Sequence, residues 1–238
     1  MIHTNDKRGR SAESILQAAA YRIAEAAQYL GIPAATLRYW VAGARYRTKT
    51  GRRVARPLIR TPEPGILSFQ NLVEAHVLDA LRREHEISLQ ALRRALDYVA
   101  KRLHSAHPLT DCDFETDGID LFVDRYGALI DVSADGQMAM REVLRAHLRR
   151  VDRDSAGLPV RLYPYTRKRK VDEPRVVVID PRVQFGRPVL VGTGIPTEVI
   201  ADRFKAGESL QDLAHDYGRT ADEIQEAIRA EIQLRGAA

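Results

Sequence analysis

The chain has 238 residues, of which 45% are hydrophobic and 29% are charged, as in a soluble globular protein of about two domains. No apolar run approaches the ~20 residues of a membrane helix, and the polar start lacks a signal-peptide core, so we expect a cytoplasmic protein without a membrane partner. The net charge of +5 divides into +9 for residues 1–60, −5 for 61–160, +5 for 161–170 and −4 for 171–238, which indicates a polyanionic partner at the N-terminal end.

The N-terminal pattern is that of two short helices. Residues 1–20 begin polar and become Ala-rich, which predicts a mobile arm with at most a short helix. After Tyr21, apolar side chains follow the i, i+3, i+4, i+7 spacing of one helix face. Gly31 ends this first helix, and Pro33 begins a second one that reaches Val41. Two short helices joined by a glycine-containing turn predict a helix-turn-helix.

A basic segment follows the second helix. Residues 42–60 contain seven basic side chains and no acidic one, and Gly51 lies near their middle. The alternating pattern around this glycine predicts a β-hairpin, or wing, with a cationic tip. Cations in such a cluster neutralise phosphates and release counterions from DNA.

Two longer helices are expected next, completing a unit over residues 21–107. Ser68 and Ser88 are placed to cap helices over 69–83 and 89–103. The second helix carries a nearly heptad-like apolar stripe: Leu89, Leu92, Leu96, Val99 and Leu103. This stripe either packs on the head or forms the seam of a dimer, and the sequence leaves both alternatives open.

Residues 108–165 are expected to form a small α+β element. Short strands are predicted at Phe114–Thr116, Ile119–Val123, Leu129–Val132 and Val160–Tyr163, with a helix over 137–150. The glycines of Asp117-Gly118 and Tyr126-Gly127 are placed at turns. Residues 166–173 are then predicted to be a basic linker.

The last segment, 174–238, is expected to be a compact helical domain. Two extended runs, 176–179 and 187–191, precede the sequence Gly192-Thr193-Gly194. Helices are predicted over 196–206, 209–216 and 221–234, with caps at Ser209 and Thr220. The fold class is therefore mainly α with small β elements: an N-terminal winged helix-turn-helix, a central small α+β element, and a C-terminal three-helix domain with a short β pair.

Several patterns that suggest metal or nucleotide sites are better explained structurally. Residues 113–124 nearly match a calcium-binding EF-hand loop, but their flanks are typical of strands. His104, His107, Asp111 and Cys112 straddle Pro108 and so share no rigid element for zinc. The glycines at 186, 192 and 194 lack phosphate-loop spacing and indicate turns. We therefore expect no metal, no cofactor and no catalytic residues, and hence not an enzyme.

The head resembles the MerR-type winged helix-turn-helix over the pattern Tyr21-x-Ile23-x-Glu25-Ala26-Ala27-x-x-Leu30-Gly31-Ile32, followed by Thr36-Leu37-Arg38-Tyr39-Trp40. The resemblance implies a recognition helix in the major groove and wing residues on flanking phosphates. The DNA-binding candidates are Thr36, Arg38, Tyr39, Arg45, Arg47, Lys49, Arg52, Arg53 and Arg56.

The tail resembles a domain of unknown function that occurs in VapB-type antitoxins. The similarity lies in Ile179-Asp180-Pro181, Gly186-Arg187-Pro188-Val189-Leu190-Val191-Gly192-Thr193-Gly194-Ile195-Pro196 and the following helices, and it departs at Gly194, where that family usually has Arg. The resemblance implies an antitoxin that neutralises a PIN-domain ribonuclease toxin. It also implies binding to operator DNA as a homodimer or higher oligomer. Arg229 and Arg235 are the candidate toxin contacts, and the alternative is a stand-alone MerR-like regulator that senses a small molecule.

Overall fold

The computed structural model describes residues 14–48, 51–84, 89–111, 113–130, 132–167 and 173–236, and within these ranges the side chains of 45–48, 52–53, 82–84 and 233–236 are left aside. These residues form a mainly helical fold with four two-stranded antiparallel pairs. The expected fold class is confirmed.

The predicted helix-turn-helix is confirmed. A short strand β1 (Tyr21–Arg22) leads into α1 (Ile23–Leu30), and α2 (Ala34–Ala42) follows. Gly31 ends α1 with φ 60° and ψ 37°, a left-handed conformation that glycine adopts without steric cost. The buried faces of the two helices contain Ala26, Leu30, Leu37 and Trp40.

The predicted wing is confirmed as a hairpin. Strand β2 (Ala44–Thr48) pairs with β3 (Gly51–Ala55) in antiparallel register from Ala44 opposite Ala55 to Thr48 opposite Gly51. Residues 49–50, which connect the two strands, lie outside the described residues.

The next two helices begin and end close to the predicted residues. Strand β4 (Ile66–Leu67) pairs with β1, and α3 (Phe69–Glu84) and α4 (Leu89–Leu103) follow. Ser68 caps α3 by accepting a hydrogen bond from the Asn71 backbone N–H at 3.2 Å. Ser88 lies outside the described residues. Leu92, Leu96 and Val99 of the apolar stripe are buried within this one chain, so the stripe packs intramolecularly.

The three strands predicted between residues 114 and 132 are wrong. The structure has a π-helical turn (Phe114–Gly118) followed by α5 (Ile119–Ile130). The buried side chains Ile119, Phe122, Val123 and Tyr126 follow helical spacing, which outweighs the high strand propensity of these residue types.

The two glycines assigned to turns in this region lie in helices instead. A Cβ on Gly118 would lie 2.7 Å from the Phe114 ring, and a Cβ on Gly127 would lie 2.7 Å from the Gln137 amide. Both glycines therefore allow close side-chain packing rather than chain reversal.

The rest of the central region agrees better with the sequence. Helix α6 (Ala134–Leu148) corresponds to the predicted helix, and β5 (Val151–Arg153) pairs with β6 (Pro159–Leu162) near the predicted last strand. One hydrophobic core extends from Leu16 of the N-terminal segment to Ile179 at the start of the tail.

The predicted arm and linker fall largely on residues 1–13 and 168–172, which lie outside the described residues. Next to the first gap, residues 14–17 form a helical turn with Leu16 buried. Next to the second gap, the buried Arg150 guanidinium donates to the carbonyls of Tyr163 and Glu173 at 2.7 and 2.9 Å.

The tail contains a short strand pair and three helices, as predicted. Strand β7 (Val177–Val178) pairs with β8 (Val189–Leu190), and α7 (Thr197–Lys205), α8 (Leu210–Tyr217) and α9 (Ala221–Gly236) follow. The predicted caps are present: the Asp212 N–H donates to Ser209 Oγ at 3.1 Å, and Thr220 and Glu223 form a reciprocal capping box. The helices bury a small core of their own: Leu190, Ile200, Leu213, Ile224, Ala227 and Ile228.

Candidate DNA-binding head and partner-binding tail

Helix α2 has one face buried and one face open to solvent. Leu37, Trp40 and Val41 are buried, whereas Ala35, Arg38 and Ala42 are exposed. Two small alanines flank Arg38, so a groove of DNA could approach this face closely. Arg38 is therefore the predicted DNA-binding residue of α2 that lies on this exposed face.

Thr36 and Tyr39 lie on a different side of α2 from Arg38. They line an apolar groove of about 390 Å³ between α2 and the following helices. The other lining residues are Ala35, Trp40, Leu78, Leu89 and Leu92. The half-buried positions of Thr36 and Tyr39 separate them from the exposed face on which Arg38 lies.

Sequence reasoning missed Arg93, a residue of the neighbouring helix α4 that contacts α2. Its Nη2 donates to the Tyr39 hydroxyl at 3.2 Å, and its guanidinium lies 5.4 Å from the Tyr39 ring centroid. Its Nε also donates to the Arg56 carbonyl at 3.0 Å. One side chain thus links α2, α4 and the end of the wing. Arg93 and Tyr39 are 54 residues apart in the sequence, so no local pattern predicts their contact.

The wing is attached to the end of α2 through backbone contacts. The N–H groups of Leu58 and Ile59 both donate to the Trp40 carbonyl, at 2.7 and 3.0 Å. Gly43 has φ 70°, and a Cβ there would lie 2.1 Å from the Ala55 carbonyl oxygen. Only glycine allows the hairpin to begin this close to its own return strand.

The wing arginines lie at facing register positions of the hairpin. Arg47 is opposite Arg52, and Arg53 is opposite Tyr46, while Arg45 is opposite Val54. Like charges opposite each other on a hairpin destabilise it unless an anion lies between or beside them. Arg56 follows β3 and is exposed, and Lys49 lies outside the described residues.

In the tail, Arg229 is engaged in an intramolecular ion pair. Its Nη1 donates to Glu226 Oε2 at 2.7 Å, and Arg167 donates to the same carboxylate at 2.8 Å. Burial alone would raise the pKa of Glu226, but hydrogen bonds from Arg167 and Thr166 outweigh it and hold that pKa below its usual value. The Arg235 side chain is not among those described.

The tail docks on the first helix of the head. Helix α9 contacts α1, and Gly186 lies so close to Tyr21 that a Cβ on it would be 2.0 Å from the tyrosine hydroxyl. Tyr21 is buried, and this burial, followed by the nearby charges of Glu25 and Asp180, raises its pKa well above the usual value. The tail thus contacts α1 and Tyr21, whereas the exposed face of α2 that contains Arg38 is a different surface of the head.

Sequence reasoning also missed Phe185, whose side chain is 94% exposed in the loop before β8. The glycines at 192 and 194 both have positive φ, at 76° and 71°, and form the turn after β8.

In the described part of the chain, no three His, Cys, Asp or Glu side chains are grouped so as to hold a metal ion. Nor is any helix of that part long and apolar enough to cross a membrane.

Comparison with known proteins identifies two family matches and a relative that covers most of the chain. Residues 19–96 match the family described as "Putative DNA-binding HTH domain", and residues 177–229 match "Protein of unknown function (DUF433)". The chain is 32% identical over 231 residues to a Mycobacterium tuberculosis protein named "Putative antitoxin VapB45", covering 88% of this chain and 92% of that protein. The chain belongs to the VapB45 family.

Two further similarities extend over nearly the whole length of this family member. An uncharacterized M. tuberculosis protein, Rv2308, is 25% identical over 238 residues, covering 92% of each chain. The crystal structure of Rv2018 from the same organism superposes with a TM-score of 0.65 at 25% identity, covering 89% of this chain and 98% of that one. The head, the central helices and the tail are thus shared as one architecture.

Proposed function

We propose that this VapB45-family chain is a non-enzymatic antitoxin that binds its own operator DNA and neutralises a PIN-domain ribonuclease toxin. The observation that carries the proposal is that this chain pairs a winged helix-turn-helix, with Arg38 on its open face, with a DUF433 tail. A relative that is 32% identical to it is named as a putative antitoxin.

The DNA-binding half of the proposal rests on the head. Arg38 reads base edges from α2, and the wing cations neutralise flanking phosphates. Thr36 and Tyr39 act mainly by positioning α2, since they line a groove that faces α3 and α4. A MerR-like dimer places two such heads on the two halves of an operator.

The toxin-binding half rests on the tail, whose net charge of −4 over residues 171–238 suits the basic surface of an RNA-binding enzyme. Arg235 remains a candidate to enter a carboxylate cluster of the toxin. Arg229 can do so only by leaving Glu226, so its contribution is expected to be smaller.

Co-purification tests this function. The tagged full-length chain, isolated from its native host, should retain a PIN-domain ribonuclease whose RNA cleavage is restored when the chain is removed. Recovery of the chain without any such ribonuclease, under conditions in which it still binds DNA, would contradict the antitoxin half.

A second candidate function is a stand-alone regulator that senses a small molecule. The apolar groove of about 390 Å³ beside α2 favours it, because a ligand there would contact Tyr39 and Trp40 of the helix that faces DNA. An apolar compound that shifts operator affinity in the absence of any protein partner would support this alternative.

A further inference from the structure

The loop of residues 180–187, here named the Phe185 loop, presents an aromatic ring to solvent. Phe185 is 94% exposed, more than any other exposed large hydrophobic side chain among the described residues, of which Val54 comes next at 69%. An exposed phenylalanine forgoes the burial of about 150 Å² or more of apolar surface. Rigid aromatic side chains of this kind are common anchors of protein interfaces.

The backbone of the loop is held in a costly conformation. Gln184, Phe185 and Gly186 have φ values of 48°, 56° and 77°, so three successive residues are left-handed. For the two that carry a Cβ this conformation is sterically unfavourable. Such a conformation persists only where neighbouring contacts fix it, and it often serves function.

Both ends of the loop are fixed by named contacts. The buried carboxylate of Asp180 accepts from Arg182 Nε and Nη2 at 2.8 and 2.7 Å, and from Arg161 Nε at 3.2 Å. At the other end, Gly186 lies against Tyr21 of the head with no space for a side chain. The ring of Phe185 is therefore presented by a pre-ordered loop, and binding it requires little loss of conformational entropy.

We propose that the Phe185 loop is the principal anchor for the toxin, and that its ring enters an apolar pocket of the toxin. This inference rests on the proposed antitoxin function. Charge complementarity favours this partner, because the tail around the loop carries a net charge of −4 over residues 171–238 and so suits the basic surface of an RNA-binding enzyme. Arg182 and Arg187 beside the ring already face the carboxylates of Asp180 and Glu198.

A protein partner suits this loop better than a nucleic acid does. An aromatic ring beside arginines could also stack on a base, but phosphate binding needs guanidinium charge that is available. Arg182 and Arg161 already share the Asp180 carboxylate, and Arg187 lies 4.0 Å from Glu198. The local surplus of positive charge is therefore small, and the apolar ring dominates the surface.

Phe185→Asn tests the proposal without disturbing the fold. Asparagine tolerates the left-handed conformation better than phenylalanine, so the variant should unfold at the wild-type temperature or above it. Its affinity for the co-purifying PIN ribonuclease, measured by calorimetry with the full-length chain, should fall at least about tenfold. Phe185→Trp should bind within about threefold of wild type, since the anchor is kept.

Met138→Gln is the matched control, because Met138 is also an exposed apolar residue (57%) but lies on α6. It should bind the ribonuclease as wild type does. Unchanged affinity of Phe185→Asn, or a loss of affinity matched by a lower unfolding temperature, would overturn the proposal. So would a loss confined to binding of a single-stranded RNA oligonucleotide. If the wild-type chain itself binds no PIN ribonuclease, the proposed function fails first.

Discussion

Arg38 carries the clearest functional expectation of any single residue. Its guanidinium lies on the exposed face of α2, between Ala35 and Ala42. Arg38→Ala should therefore reduce the preference for operator over scrambled DNA, by about 1–3 kcal/mol. Competition measured by fluorescence anisotropy reports this difference. Arg94→Ala, which removes an exposed arginine from α4, should leave the preference unchanged, and equal losses in both variants would contradict a reading role for Arg38.

Gly186 lies at a close contact between the tail and Tyr21 of the head. Gly186→Ala would place a Cβ 2.0 Å from the Tyr21 hydroxyl, so the free energy of unfolding should fall by roughly 1–3 kcal/mol. Urea denaturation measures the change. Gly207→Ala is the control, because Gly207 also has positive φ, 104°, but a Cβ there would meet nothing within 4 Å. Similar losses in the two variants would show backbone strain alone and no close contact with Tyr21.

At the scale of elements, Arg93 of α4 should act on DNA binding through α2 and the wing. Arg93→Ala removes the hydrogen bonds to Tyr39 and to the Arg56 carbonyl, so the operator affinity should fall by about tenfold. The salt dependence of binding should stay the same, because Arg93 is expected to touch no phosphate. Arg52→Ala or Arg53→Ala should instead reduce the slope of log affinity against log salt by about one unit each. A reduced slope in Arg93→Ala would contradict the positioning role.

Helix α3 is tied to the segment after α4 by a titratable hydrogen bond. His107 Nδ1 lies 3.1 Å from Glu74 Oε1, and this hydrogen bond raises the pKa of His107 above 6.5, against the opposing effect of burial. A raised folded-state pKa gives stability that is complete below pH 6.5 and is lost as the pH rises through that pKa. Urea unfolding should thus show a loss of roughly 1 kcal/mol on going from pH 6 to pH 8 from this pair.

His107→Gln is the variant that isolates the pair, since glutamine retains a donor but does not titrate in this range. The pH dependence of its unfolding should be flatter than that of wild type. If the free energy of unfolding changed by the same amount between pH 6 and pH 8 in both proteins, the assignment would be contradicted.

The sequence predicted elements well where local signals agree with the packing. The glycine at 31, the caps at Ser68, Ser209 and Thr220, and the hairpin around Gly51 depend on neighbouring residues, and all are present. The strands predicted over residues 114–132 are wrong because Ile, Phe and Val favour strands locally, whereas tertiary packing against α4 stabilises a helix. Arg93 and Phe185 could not be found from sequence, because their roles arise from contacts and exposure that only the fold creates.

At the scale of the whole molecule, the tail packs against the head rather than being joined to it only by a linker. A core that extends from Leu16 to Ile179 joins the head to the central helices, and α9 and Gly186 bring the tail against α1 and Tyr21. The exposed face of α2 and the ring of Phe185 both remain open in this arrangement. The proposed DNA-reading surface and the proposed partner-binding loop are therefore accessible at the same time.

The most direct test of this account is RNA cleavage by the co-purifying PIN ribonuclease during titration with the full-length chain. We expect cleavage to fall to background near equimolar chain, with Arg38→Ala as effective as wild type because the head is not needed for neutralisation. Cleavage that continues unchanged in excess chain, under conditions in which the chain binds operator DNA, would contradict the central claim.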